Sequence, residues 1–268
     1  MIALPFVLLL ALIVIGMPIS FALIIASVAT LYWLGLAPIT FIPDVFAGSV
    51  QNFTLLAIPF FLLAAELLSA GGLIDRVFDL ARAIVGKLRG GMGGACVIAT
   101  GIFAGVQGSS AADAAAIGKI GTVGMVREGY RPGFAAALIA ASGATAILIP
   151  PSIAMLIYAS MVNVSVGRMF FAGIVPGVIN VVAFLVFVAS RGHIYGWKRD
   201  DTGAITSWPA RVSAFKRSVW VLLLPVFVLY GFYSGQLTAT EISTACVIYS
   251  LVVAMLFYRS LHLRDLWP

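Results

Sequence analysis

Charge is what this chain has least of. Asp, Glu, Lys and Arg make up 10% of its 268 residues, against about 25% in a soluble domain. No strip of basic residues interleaves with aromatics, which excludes a nucleic-acid partner. No Lys or Arg precedes Arg76, so the charged start of a cleavable signal is missing and the apolar pattern simply continues. Cysteine occurs only at Cys96 and Cys246, each in an apolar stretch. The pair reads as small core residues rather than a disulfide or a metal site. The two histidines, His193 and His262, both stand in polar segments.

What is present is hydrocarbon. Residues of the AVILMFWYC set account for 62% of the chain, and a bilayer-spanning helix needs about 20 mostly apolar residues. Segments 2–16, 18–36, 53–70, 167–190, 219–234 and 239–258 fit, with the first and fifth short. Gly16-Met17-Pro18 supplies a turn between the first two. Pro38, Pro43, Asp44 and Gln51 make 38–51 an interfacial or re-entrant stretch.

Two regions do not read as simple spans. Residues 91–126 are interrupted midway by Gly-Ser-Ser-Ala-Ala-Asp at 108–113, leaving two arms of roughly 25 Å each at 1.5 Å per residue. Such arms can enter and return as a re-entrant helical hairpin. Residues 132–163 are too long for one span and are broken by Ile-Pro-Pro-Ser at 149–152, which reads as a discontinuous helix. Broken backbone at membrane depth is tolerated only where protein or a water-filled cavity covers it, and it is a sequence pointer to a transport site.

The basic residues test this arrangement. With 91–126 as a hairpin, 72–90, 127–131, 191–217 and 259–268 face one side and hold all Lys and Arg except Lys119 and Arg168. Under the positive-inside rule that side is the cytoplasm, with the N-terminus outside. Within 72–90, Leu73, Val77, Leu80, Ile84 and Leu88 recur at helical spacing, and Asp75, Arg76, Asp79 and Arg82 lie off that stripe. The segment is expected to be an amphipathic interfacial helix. The stretch 191–217 is expected to be a linker followed by a second such helix.

At the first break Gly108 permits unusual backbone, and Ser110 with Asp113 matches a Ser-x-x-Asp capping box. A purely structural cap and a cap that also joins an ion or substrate site both fit. At the second, Pro150 and Pro151 lack N–H groups and would leave the Ala146 and Ile147 carbonyls without donors in a continuous helix. Carbonyls beside Ser and Thr hydroxyls suit Na⁺ better than a transition metal, although a simple proline kink fits too. Helix N-termini at both breaks can direct N–H groups at a substrate carboxylate. Gln107 can bond across the first break. Glu66 is interfacial or an internal contact, Lys119 snorkels or pairs with a carboxylate, and Arg168 is a surface residue or meets an anionic substrate. A serine hydrolase would need a base beside Ser109 or Ser110. Both histidines are remote from the break, and Gly-Val-Gln-Gly-Ser-Ser is not a nucleophile elbow, so no enzyme activity is expected.

At these residues the chain resembles the large membrane (permease) subunit of tripartite ATP-independent periplasmic (TRAP) transporters, DctM-like. The resemblance runs through Leu-Leu-Ala-Ile-Pro-Phe-Phe-Leu-Leu-Ala-Ala-Glu at 55–66, Leu-Arg-Gly-Gly-Met at 88–92 and Phe-Ala-Gly-Val-Gln-Gly-Ser-Ser-Ala-Ala-Asp at 103–113. It continues through Glu-Gly-Tyr-Arg-Pro-Gly-Phe-Ala-Ala-Ala at 128–137, Ile-Leu-Ile-Pro-Pro-Ser at 147–152 and Phe-Ala-Gly-Ile-Val-Pro-Gly at 171–177. It implies an all-α polytopic protein of the bacterial inner membrane, containing the first repeat of an inverted-repeat elevator-type transporter. The segments are then scaffold helices (1–71), interfacial helix (72–90), hairpin (91–126), discontinuous helix (132–163), a span (167–190), linker and amphipathic helix (191–217), and the first two helices of an incomplete second repeat (218–268).

The implied activity is Na⁺-coupled secondary import of a small organic anion, a carboxylate, with Na⁺ as coupling ion and no other cofactor. The implied partners are an extracytoplasmic solute-binding protein, a small TRAP membrane subunit and a missing C-terminal half. Gly108, Ser109, Ser110, Pro151 and Ser152 are the candidate substrate contacts. Ser109, Ser142, Gly143, Thr145, Ile149 and Ser152 are the candidate Na⁺ ligands, with Asp113 as a structural cap. The chain departs from the family pattern at Ala144 and Ala146, where Thr and Gly are usual, and at Ala239, where Pro is usual. The rival expectation is a truncated or split permease fragment with a structural role and no transport by itself.

Overall fold

A computed structural model describes residues 3–35, 38, 40–85, 90–197, 208–258 and 260. Among them every regular element is helical. The chain divides into two units, Met1–Asn52 and Phe53–Pro268. In the first, α1 (Leu4–Val14) and α2 (Ile19–Trp33) pack together and α3 (Phe41–Val50) follows. Gly16, at φ +91°, ends α1. Its N–H reaches the Ile13 carbonyl, and that of Met17 reaches Leu12, the paired bonds of a Schellman turn. The stretch expected to be interfacial or re-entrant is therefore helical over α3.

The second unit holds α4 (Ala57–Ala70), entered through a tight turn at Phe53–Leu56, and then α5 (Leu73–Val85), α6 (Gly91–Gln107) and α7 (Ser110–Arg127). After α8 (Pro132–Gly143) come α9 (Ile153–Met161), α10 (Val166–Ile194), α11 (Trp208–Ser234) and α12 (Ala239–Val252), the last prolonged by a π-type turn over Val253–Phe257. Phe53–Ala70, Val166–Gly192, Trp208–Ser234 and Ala239–Phe257 are long and apolar enough to cross a bilayer. The chain is a multi-pass helical membrane protein.

α4 and α12 form the most extensive helix pair. Thr240 Oγ1 donates to the Phe53 carbonyl at the start of both (2.9 Å), and Ser260 Oγ to the Gly71 carbonyl past their ends (3.0 Å), so the two run parallel. Thr238 and Glu241 form a reciprocal capping box at the α12 N-terminus. A proline at 239 is thus not needed to start that helix. Cys96 and Cys246 are buried and free in the main core.

One expectation is corrected here. The second amphipathic helix and the short span 219–234 are one continuous helix of 27 residues. Its basic end runs on into the apolar part, and Pro225 lies inside the helix. On α5, Leu73, Val77 and Leu80 are buried, but Ile84 is 55% exposed, because α6 and α11 cover only part of the stripe. Leu88 and the linker 198–207 lie outside the described residues.

The base of the α6–α7 pair is fastened by the Glu-Gly-Tyr-Arg-Pro run. Gly129 (φ +95°) ends α7, and the Tyr130 N–H returns to the Met125 carbonyl. Pro132 then opens α8 at a position where its missing N–H costs nothing. Tyr130 Oη donates to the Gly90 carbonyl (2.7 Å), and Glu128 Oε2 accepts from the Met92 N–H (3.0 Å). Trp197 stacks on Tyr130 with ring centres 3.7 Å apart. These contacts tie the start of α6, the end of α7 and the end of α10 together.

Candidate functional site

α6 and α7 are an antiparallel hairpin. A Cβ at Gly121 would collide with Cys96 Sγ, and one at Gly124 with Met92 Cε, so the arms touch through small residues that admit close backbone approach. The tip is Gly108, at φ +61°, followed by Ser109 in extended conformation. A side chain at Gly108 would strike the Pro151 carbonyl oxygen and crowd Ser152 Cα (3.1 Å). The hairpin tip and the proline break therefore touch backbone to backbone.

The break begins before the prolines. α8 ends at Gly143, tightens through Ala144–Ile147, and the chain runs irregularly to Ser152, where α9 starts. Both Leu148 and Ile149 N–H groups donate to the Thr145 carbonyl (2.9 and 3.1 Å). A Cβ on Gly143 would lie 3.0 Å from the Ser110 carbonyl oxygen and 3.3 Å from Ala114 Cβ. This second contact brings the α8 end against the first turn of α7. On the opposite side, Gly173 and Gly177 of α10 leave room for the Leu148 carbonyl and the Ile149 side chain.

The polar side chains fall into two groups. Ser142, Thr145 and Ser152 are buried, and each has a partner. Ser142 Oγ donates to the Ile139 carbonyl (3.1 Å), Thr145 Oγ1 accepts from Asn180 Nδ2 (3.2 Å), and Ser152 Oγ caps α9 by accepting from the Met155 N–H (3.4 Å). Across the contact, Ser110 Oγ and both Asp113 carboxylate oxygens are buried and meet no hydrogen-bond partner among the described residues. Asp113 is fully enclosed. Buried carboxylates are costly without a compensating charge, proton or hydrogen bond.

The expected Ser110–Asp113 capping box does not form. The N-cap is Ser109, one residue earlier, and no side chain caps α7. With Ser109 at the cap, Asp113 falls one position beyond the place a capping box requires. Ala144 is exposed, while Ala146 is buried beside the partnered Thr145.

The structure thus joins Gly108 to Pro151 and Ser152, and the Ser110 segment to Gly143. Ile149 and Thr145 are held from the other side by Gly177 and Asn180. Gln107 is buried next to the tip. Lys119 lies away from it, lining a cavity of about 410 Å³ with Asp75, Asp79, Arg82 and Arg127 between α5 and the hairpin. Arg168 and Glu66 are exposed. Sequence reasoning missed Asn180 and the Gly173–Gly177 pair. Their signals were a lone amide in an apolar run and a Gly-x-x-x-Gly spacing inside a motif already noted.

A helical hairpin thus packs tip-first on a broken helix within this multi-pass membrane protein. A family model described as "Tripartite ATP-independent periplasmic transporter, DctM component" matches residues 6–267, and the chain belongs to that family. It is 38% identical, over 97% of its length, to the C4-dicarboxylate TRAP transporter large permease protein DctM of Vibrio cholerae, and matches that of Rhodobacter capsulatus equally well. It is 36% identical, over 95% of its length, to the 2,3-diketo-L-gulonate TRAP transporter large permease protein YiaN of Escherichia coli. The matches span 57%, 62% and 59% of those three relatives.

Proposed function

We propose that the chain supplies the first half of the large permease subunit of a Na⁺-coupled importer in a bacterial inner membrane. In this reading the imported solute is a small organic anion, a carboxylate, delivered by an extracytoplasmic binding protein. The partners are a small membrane subunit and the remainder of the large subunit. That remainder contributes a second hairpin and a second broken helix in an inverted-repeat, elevator-type arrangement, with α6–α7 as a re-entrant hairpin.

The observation that carries this reading is the unpartnered polar group at the hairpin tip. Na⁺ is a hard cation that takes oxygen ligands. The Ser110 hydroxyl and Asp113 carboxylate offer buried oxygens with no donor among the described residues. Ser109, Ser142, Gly143, Thr145, Ile149 and Ser152 border the same junction. Asp113, expected as a cap, becomes the group whose charge a bound cation would balance. The α7 and α9 N-termini leave N–H groups at the two breaks, a favourable place for a substrate carboxylate. This chain's residues bind and orient; the second repeat completes the site. The names of the relatives, which concern C4-dicarboxylates and a sugar acid, support an organic acid as solute.

The test is uptake by membranes containing the chain, the remainder of the subunit, the small subunit and a binding protein. Solute entry is expected to require Na⁺ and to fall at least tenfold in the Ser109→Ala, Ser110→Ala, Ser152→Ala triple variant. Unchanged uptake in a variant present at normal abundance overturns the assigned site.

A further inference from the structure

A groove of about 440 Å³ opens between α5, α6 and α11, away from the two breaks. Arg211, Phe215 and Leu222 of α11 line it, facing Leu80 and Ile84 of α5 and Ile102 of α6. The three α11 positions form one stripe of a 3.6-residue helix. Arg211 and Leu222 are about 16 Å apart along the axis at 1.5 Å per residue. That is close to half of a hydrocarbon core about 30 Å thick. The groove is therefore one leaflet deep, with a guanidinium at one end and hydrocarbon below. Its walls are open to the surroundings, with Ile84 55% and Phe215 52% exposed. Trp208 stands exposed one turn outside Arg211, as an aromatic at the membrane–water boundary does.

The charge balance points to the headgroup. α11 carries Arg211, Lys216 and Arg217 in its first three turns and no acidic residue along its length. Among the described residues lining the groove none is acidic. A cavity of about 240 Å³ on the other side of the α5–α11 seam differs: Asp79 stands there with Arg76 and Arg217. Arg76 is also laid over the Tyr258 ring at 3.5 Å. That cavity carries its own counter-charge; among the described residues the Arg211 groove has none. A guanidinium presents a planar fork that matches a phosphate.

We propose that this groove binds an anionic diacyl phospholipid. Its phosphate sits on Arg211, and one acyl chain runs along Phe215 and Leu222 against Leu80, Ile84 and Ile102. Ile102 lies on the hairpin arm five residues before the end of α6. The lipid therefore touches the same helix that carries the candidate transport site at its tip.

The experiment places the chain, together with the remainder of the subunit and the small subunit, in nanodiscs of phosphatidylcholine containing a minor fraction of phosphatidylglycerol with a diazirine on one acyl chain. Photolabelled residues are mapped by mass spectrometry. Labels are expected to concentrate on the groove, at Ile102 and Leu222, over the exposed α10 residues Val178 and Val182. Arg211→Gln is expected to lower groove labelling about tenfold, and Arg211→Lys less. Lys216→Gln, off the stripe, is expected to change it less than twofold. Label at Val178 and Val182 that stays constant among the variants reports intact folding. Equal labelling by a diazirine phosphatidylcholine, an even spread over all exposed helix faces, or no response to Arg211→Gln overturns the proposal. Crosslinks from a second copy or another subunit that displace the lipid label also overturn it.

Discussion

The two breaks touch, yet their side chains behave in opposite ways. At the second, Ser142, Thr145 and Ser152 spend their hydroxyls on the Ile139 carbonyl, the Asn180 amide and the Met155 N–H. Those bonds hold an irregular backbone in shape where lipid could not satisfy it. At the first, Ser110 and Asp113 are buried with their oxygens unanswered. One break is built from satisfied polarity and the other keeps polarity in reserve. Leaving buried polar groups unsatisfied is costly, which is why the proposed ion site is placed at the first break. The difference separates hydroxyls already engaged within the protein from oxygens that are not.

The contrast fails most sharply at the contact itself. Gly108→Ala puts a Cβ into the Pro151 carbonyl and forces a non-glycine residue to φ +61°. The left-handed conformation alone costs about 1–3 kcal/mol, and the overlap adds to it. Loss of the folded protein, or a marked fall in its thermal midpoint in detergent, is expected, and uptake by the complete transporter should vanish. A variant of normal stability would show that the two breaks do not touch.

Asp113→Asn keeps the shape and removes the charge. It should leave the chain folded and raise the Na⁺ concentration needed for uptake by tenfold or more. An unchanged Na⁺ dependence would return Asp113 to a structural role. Asn180→Ala probes the satisfied side. Removing the donor to Thr145 is expected to cost about 1–3 kcal/mol of stability, read as a lower thermal midpoint, with a smaller change in Na⁺ dependence than Asp113→Asn. If Asn180→Ala shifts Na⁺ dependence more, the division between shaping and ligand-bearing residues is reversed.

The helical membrane class, the position of both breaks and the turn at Gly16 follow from local chemistry. Apolar runs of the right length, glycines at positive φ and prolines at breaks or helix starts act on their own neighbours. Reading of local pattern went astray where two patterns competed. Ser109 and Ser110 both offer a cap, and the choice of the first moved Asp113 out of capping register. The basic start of α11 looks like a separate interfacial helix, but it runs on into the apolar part as one helix from Trp208 to Ser234, with Pro225 inside it.

The amino-acid order thus decided where the chain may be helical and where it must break, since those are constraints between residues a few positions apart. Which break meets which, and which polar atoms are left over, was decided by packing. Asn180 reaches Thr145 over 35 positions, and Tyr130 reaches Gly90 over 40. The exposed side of the α5–α11 seam that forms the Arg211 groove arises the same way. Contacts of that range depend on how helices fit together, and no local period encodes them.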